Sequence, residues 1–148
     1  MKSYSFRLER ILWLRRHTER MWEMRLAQAT GACVLLENRI RRLQEECLYY
    51  ADFSPGGQIL SAEDILASGE LRRRLEFEIE GAGAALRDAN AKREEVNRSY
   101  LEASRARKVL DKLKERKAEE YYEEQNRVEE KIMGEAAMFQ MIGREGGE

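Results

Sequence analysis

From Trp22 to Tyr50 the apolar residues Trp22, Leu26, Ala29, Cys33, Leu36, Ile40, Leu43, Cys47 and Tyr50 recur at alternating spacings of four and three. A period of about 3.5 residues places them on one stripe of a helix, and a stripe kept up this long is the seam of a coiled coil. Upstream, Tyr4, Leu8, Ile11, Arg15, Thr18 and Trp22 continue it, with two successive steps of four between Thr18 and Leu26. That is a phase slip of the stutter kind. The pattern predicts a first helix over 4–50, roughly 70 Å long at about 1.5 Å per residue. A second stripe follows at Leu75, Ile79, Ala82, Leu86, Ala89, Arg93, Val96, Tyr100, Ala103, Arg107 and Leu110. It predicts a helix over 70–142, with 143–148 as a flexible tail.

Between the stripes, residues 51–69 are expected to be turn and loop. The stretch ADFSPGGQILS holds the chain's one proline, Pro55, followed by Gly56 and Gly57, which is a strong turn signal. Ser61 with Asp64 three residues later can cap a helix, the hydroxyl accepting an orphan N–H and the acid sitting at the positive end of the dipole. Residues 61–67 are then either the first turns of the second helix or a separate helical piece, and Ser68-Gly69 offers a second break. Two long helices joined by one turn run antiparallel, so the expected fold is all-α, an antiparallel two-helix coiled-coil hairpin forming one domain over 1–148. With Tyr50 opposite residue 70, Leu8 faces about residue 112. After Leu110 the register meets Lys114 and Lys117, and pairing is expected to weaken beyond about residue 113. Apolar residues return in a shifted phase at Val128, Ile132, Phe139 and Ile142, where no first-helix residue is left to cover them. This overhang is a binding surface or a frayed end. Gly31, Gly81, Gly83 and Gly134 each cost about 1 kcal/mol relative to Ala and mark possible bends.

Composition narrows the function. Of the 148 residues 37% are charged, and Pro is nearly absent, which belongs to the long-helix class rather than to a deep globular core. No glycine-rich phosphate loop, CxxC or HExxH occurs, so neither enzymatic activity nor a cofactor, metal or small-molecule substrate is expected. The lone His17 is expected to be a surface residue. Cys33 and Cys47 lie two heptads apart on one helix face, too far to share a bond or a ligand, and are expected to be small seam residues. The longest uncharged run, LAQATGACVLL, is far shorter than the roughly 20 residues that span a bilayer. The start, MKSYSFRLERILWLRR, lacks an uninterrupted apolar stretch of the signal-peptide kind. A cytoplasmic protein is expected.

Charge is distributed unevenly along the chain. Residues 1–25 carry seven Lys or Arg against three Glu, and residues 105–117 carry seven against two acids, so the antiparallel pairing brings two basic stretches together. Residues 119–135 hold seven Glu against Arg127 and Lys131. The basic end, with Arg7, Arg10, Arg15, Arg105, Arg107, Lys108 and Lys112, suits an acidic protein surface or anionic lipid. Nucleic acid is not expected, because no recognition fold accompanies the charge and Trp13 and Trp22 fall at spacings typical of packing. Tyr49, Tyr50 and Phe53 form an aromatic cluster beside the turn, suited equally to a partner contact or to a cap on the seam.

The opening Phe6-Arg7-Leu8, Ile11-Leu12, Leu14-Arg15, Glu19 and Leu26 resembles the start of the flagellar export protein FliJ family. Leu110, Leu113-Lys114-Glu115-Arg116, Tyr121, Arg127, Glu129-Glu130-Lys131 and Gly134-Glu135-Ala136 are similar to that family's C-terminal pattern, with Gly134 where members commonly have Asp. The resemblance spans nearly the whole chain. It implies a non-catalytic antiparallel coiled coil, similar to the stalk of rotary ATPases, at the inner-membrane face of the flagellar type III export apparatus. The partners it implies are the export ATPase FliI, whose ring takes the terminal end, the export gate protein FlhA, and substrate chaperones. Matching heptads carries the gate contact to Leu43, Tyr50, Leu75, Ile79, Ala82 and Leu86, while Arg39 and Glu46 stand where the family pattern has a neutral polar residue and an aromatic. The alternative is a structural coiled-coil tether that self-associates through the overhang or binds anionic membrane.

Overall fold

The computed structural model describes residues 2–52 and 61–147. Two helices, α1 (Glu9–Asp52) and α2 (Ala62–Glu145), are packed against each other, with no strand among the described residues. The class is all-α, as the two seams require. The turn signal Pro55-Gly56-Gly57 and the aromatic Phe53 lie outside the described residues. Neither helix breaks at Gly31, Gly81, Gly83 or Gly134.

Both helix starts differ from the pattern, each for a local reason. α1 begins at Glu9 because Phe6 is buried against the coil and its carbonyl accepts from the Glu9 N–H at 3.2 Å, which holds residues 2–6 outside the helix. α2 begins eight residues before the expected start at residue 70 and thirteen before the first seam residue, Leu75. The Asp64 N–H donates to Ser61 Oγ at 3.2 Å while the Ser61 N–H donates to Asp64 Oδ2 at 3.2 Å, a reciprocal cap that satisfies two orphan donors. Ser68 does not interrupt the helix, since its hydroxyl bonds back to the Ile65 carbonyl at 3.0 Å. Residues 62–70 are all exposed, so no apolar stripe signals this first part of α2.

The chain divides into a central unit, Glu19–Glu102, and a terminal unit, Met1–Thr18 with Ala103–Glu148. In the central unit the predicted seam is the packed face: Cys33, Leu43, Leu75 and Ala82 are buried, and Trp22, Leu26, Leu36, Ile79 and Leu86 are half-buried. Tyr50 is the exception and is exposed. Both cysteines are free thiols, Cys33 buried and Cys47 half-buried.

In the terminal unit the helices run antiparallel, because ascending positions on one segment meet descending positions on the other. The Tyr4 and Tyr121 rings sit 5.6 Å apart, Lys114 pairs with Glu9 at 2.8 Å, and Arg16 pairs with Asp111 at 3.0 Å. Leu8 shares a groove with Leu113 and Lys117, within one turn of the expected residue 112. Two expectations are corrected here. The inward residue is Leu12, which is 0% exposed, whereas Ile11, Arg15 and Thr18 are exposed. Leu8, Leu12 and the half-buried Glu19 and Trp22 fit one unbroken heptad, so no stutter is needed. Adjacent Ile11 and Leu12 are both apolar, and only packing selects between them.

Pairing also continues past residue 113. Lys114, Ala118, Tyr121 and Gln125 remain half-buried, and the Tyr121 hydroxyl donates to the Lys2 carbonyl at 3.1 Å. Lys114 is accommodated because its stem covers the seam while its ammonium reaches Glu9. The stripe has moved by one residue, so Ala118 and not Lys117 faces inward. From residue 126 to residue 147 every position is exposed.

Candidate functional site

Residues 2–18 and 103–117 of the terminal unit carry twelve Lys or Arg against Glu9, Asp111 and Glu115. Two of the three acids are already committed. Asp111 receives Arg16 and, one turn away on its own helix, Arg107, while Glu9 receives Lys114. Among the described residues, Arg7, Arg10, Arg15, Arg105, Lys108 and Lys112 are exposed and make no ion pair. Arg107 differs from the other expected contact residues: its guanidinium is engaged in positioning Asp111. The unit therefore has a structural subset of cations at the seam and a solvent-facing subset available to a partner.

Partial burial alone would raise the Asp111 carboxyl, but the hydrogen bonds from Arg16 and Arg107, reinforced by their charges, outweigh it and hold the group below its usual value of 3.8. A depressed carboxylate stabilises the fold above its unfolded value and loses that contribution as pH falls through the folded value. Asp111→Asn is therefore expected to be less thermally stable than the parent at pH 7, with the gap shrinking once the pH drops below about 4. Thermal unfolding of both chains across pH checks this. A gap unchanged down to pH 2 would mean that the carboxylate charge is not what the two arginines hold.

Beside these cations lies an apolar surface that sequence reasoning assigned to packing. Trp13 is 64% exposed, stacks on His17 with ring centroids 5.7 Å apart, and lines a shallow groove with Glu9, Arg10 and Leu14. The available signal was its place off the Leu8–Leu12 stripe. Trp22 is half-buried, with the Arg25 guanidinium over its ring at 4.8 Å. His17 is exposed, as expected.

The six positions matched to a gate contact do not form one accessible surface. Leu43, Leu75 and Ala82 are buried in the central unit's seam, Ile79 and Leu86 are half-buried, and Tyr50 is exposed with its ring edge-on to Tyr49. Large apolar residues that are accessible in this unit include Leu48, Tyr49, Ile65, Leu66 and Phe77, the last 77% exposed. The sequence pattern passed over Phe77 because it lies two residues from Leu75 and so falls outside the heptad. In the terminal unit Val128, Ile132, Phe139 and Ile142 are all exposed, together with Met133, Met138 and Met141.

Among the described residues there is no cluster of His, Cys, Asp or Glu suited to a metal ion, and no helix is long and apolar enough to cross a membrane. What the structure offers is surface: solvent-facing cations, an exposed tryptophan and an uncovered heptad stripe on a coiled-coil frame. That defines an all-α coiled-coil protein equipped for contact with other macromolecules. The sequence matches the family described as flagellar FliJ protein over residues 4–146, and the chain belongs to that family of flagellar export-related proteins. No curated protein and no solved structure matches the chain.

Proposed function

We propose that this protein is a non-catalytic stalk and adaptor of the flagellar type III export apparatus, cytoplasmic and held peripherally at the inner membrane by its partners. The terminal unit docks on the ring of the export ATPase. The observation that carries this is the set of six exposed cations, Arg7, Arg10, Arg15, Arg105, Lys108 and Lys112, left over after the seam has consumed Asp111 and Glu9. A concentrated positive surface raises the encounter rate with an acidic ring lumen and tolerates rotation, because long-range attraction does not require one fixed geometry. Trp13 and Leu14 supply an apolar anchor next to it. By contacting some conformations of the ring subunits better than others, the stalk favours assembly and biases turnover.

The central unit supplies the contact to the export gate, with Tyr50 and the exposed edges of Ile79 and Leu86 as its accessible part, and it escorts substrate chaperones. The test is the turnover of purified export ATPase with and without this protein across ionic strength. Charge-driven docking weakens as the Debye length shrinks from about 10 Å at 0.1 M salt. Stimulation that declines steeply with salt supports the proposal, and stimulation indifferent to salt overturns it.

A further inference from the structure

In the central unit, the face of α1 turned away from its seam carries a second stripe. Met21, Met24, Gln28, Gly31 and Leu35 recur at steps of three, four, three and four, and all are exposed, Met24 by 66% and Leu35 by 69%. Ala27 and Val34 lie alongside and are exposed too. At about 1.5 Å per residue the stripe runs for roughly 21 Å. A period of about 3.5 residues is one that a facing helix can follow, its knobs entering holes between four residues. Gly31 stands on the stripe itself, and nothing lies within 4 Å of where its Cβ would be. It costs the helix about 1 kcal/mol relative to Ala, yet its missing side chain relieves no contact within the chain. What it leaves is room for a second backbone to approach. Beside the stripe, a hollow of about 330 Å³ lined by Arg25, Gln28, Lys92, Val96 and three alanines of the two helices can take a large side chain.

Charge selects the occupant. Residues 20–42 hold five arginines against Glu23 and Glu37. Around the helix, Arg20 and Arg41 flank the stripe on one side, Arg25 and Arg39 flank it on the other, and Arg42 prolongs it, whereas both Glu fall at the edge next to the seam. None of the five arginines makes an ion pair among the described residues; Arg25 lies over Trp22 and Arg41 bonds Asn38. Flanking charges set the partner of a heptad stripe, so the helix that fits carries carboxylates beside its apolar residues. The same face of a second copy is disfavoured in either direction, since arginines stand at both ends. A membrane is disfavoured because an interfacial helix buries a broad, bulky apolar face, and Ala27, Gln28 and Gly31 leave the middle of this one small and narrow. We infer that the outer face of α1 over residues 20–42 docks an acidic amphipathic helix of another protein.

The probe is a labelled synthetic helix of about three heptads with Leu at its a and d positions and Glu at e and g, beside a twin with Lys in place of Glu. Each is titrated with the full chain and followed by fluorescence anisotropy. The Glu helix should bind and the Lys twin should not. G31L should weaken binding at least about tenfold, because a side chain there holds the two backbones apart. Its melting temperature should not fall, since the new side chain meets nothing within the chain and Leu favours helix over Gly. R39E with R42E should weaken binding by at least about tenfold as well, while R87E with R98E, exposed on α2, should leave it unchanged. No binding of the Glu helix, equal binding of the Lys twin, or binding that G31L leaves untouched overturns the inference. Self-association of the parent, or its retention on phosphatidylglycerol vesicles, that G31L abolishes would put a second copy or a membrane on this face and overturn it too. The inference uses none of the residues given to the ATPase or the gate, so its failure leaves those readings standing.

Discussion

A triple charge reversal, Arg105→Glu, Lys108→Glu and Lys112→Glu, is expected to abolish stimulation of the export ATPase while leaving the coiled coil intact. All three side chains are exposed and make no ion pair among the described residues, so no seam contact is lost. The local charge changes by six units within residues 103–117, whose acids are Asp111 and Glu115. Clefts and patches of one sign raise association rates by about 10 to 1,000-fold, and reversing the sign replaces attraction with repulsion. The apparent affinity for the ring should therefore drop at least about tenfold near 0.1 M salt, with a shallower salt dependence in what remains. Arg107 is deliberately left out, because reversing it would strip Asp111 of a partner and confuse unfolding with lost binding. Arg87→Glu with Arg98→Glu, exposed positions of the central unit, serves as the charge control and should leave stimulation unchanged. Circular dichroism of each variant should overlay that of the parent.

The second large effect is on folding. Leu12→Ala should cost about 2–5 kcal/mol, since Leu12 is fully enclosed and a two-helix seam has few other atoms to relax into the space. Ile11→Ala, one residue away, removes a similar side chain from an exposed position and should stay within about 0.5 kcal/mol. Hydrogen exchange should show residues 9–18 and 103–121 opening together in L12A and not in I11A. An equal cost at both positions, or a larger one at Ile11, would restore the stuttered register and contradict the packing described above.

That pair of residues shows where sequence reasoning reached its limit. From Trp22 onward the alternation of fours and threes holds for nine positions, so the stripe names the buried face even where Val34 and Leu35 adjoin Cys33 and Leu36, and Cys33, Leu43, Leu75 and Ala82 are found there. At Ile11-Leu12 two candidates are adjacent, and periodicity cannot choose between them without the partner helix. The tyrosine contact near the chain start was hidden for a related reason. Tyr4 and Tyr121 lie far apart in sequence, and the lysines between Leu110 and Tyr121 suggest a failing seam until Glu9 is seen to receive Lys114. The first turns of α2 carry no apolar stripe because nothing packs on them, so only the Ser61–Asp64 cap announces them. As for the site, the excess of cations was readable from counting, but which of them the seam consumes was not. Arg107 is the exception, since it lies on the second stripe and four residues before Asp111, whereas the reach of Arg16 to the same carboxylate from the other helix carries no sequence signal. Trp13 was misjudged because it was grouped with Trp22 as a packing aromatic, although its place off the Leu8–Leu12 stripe puts it on the outward side of α1.

Docking of the terminal unit on the ATPase ring is tested most directly by photo-crosslinking with a probe placed singly at Trp13, Lys108 or Phe77 in the presence of assembled export ATPase. Adducts to the ATPase from positions 13 and 108, absent from position 77 and lost in high salt, are the expected result. Adducts from position 77 with none from 13 or 108 would place the ATPase on the central unit and contradict the account.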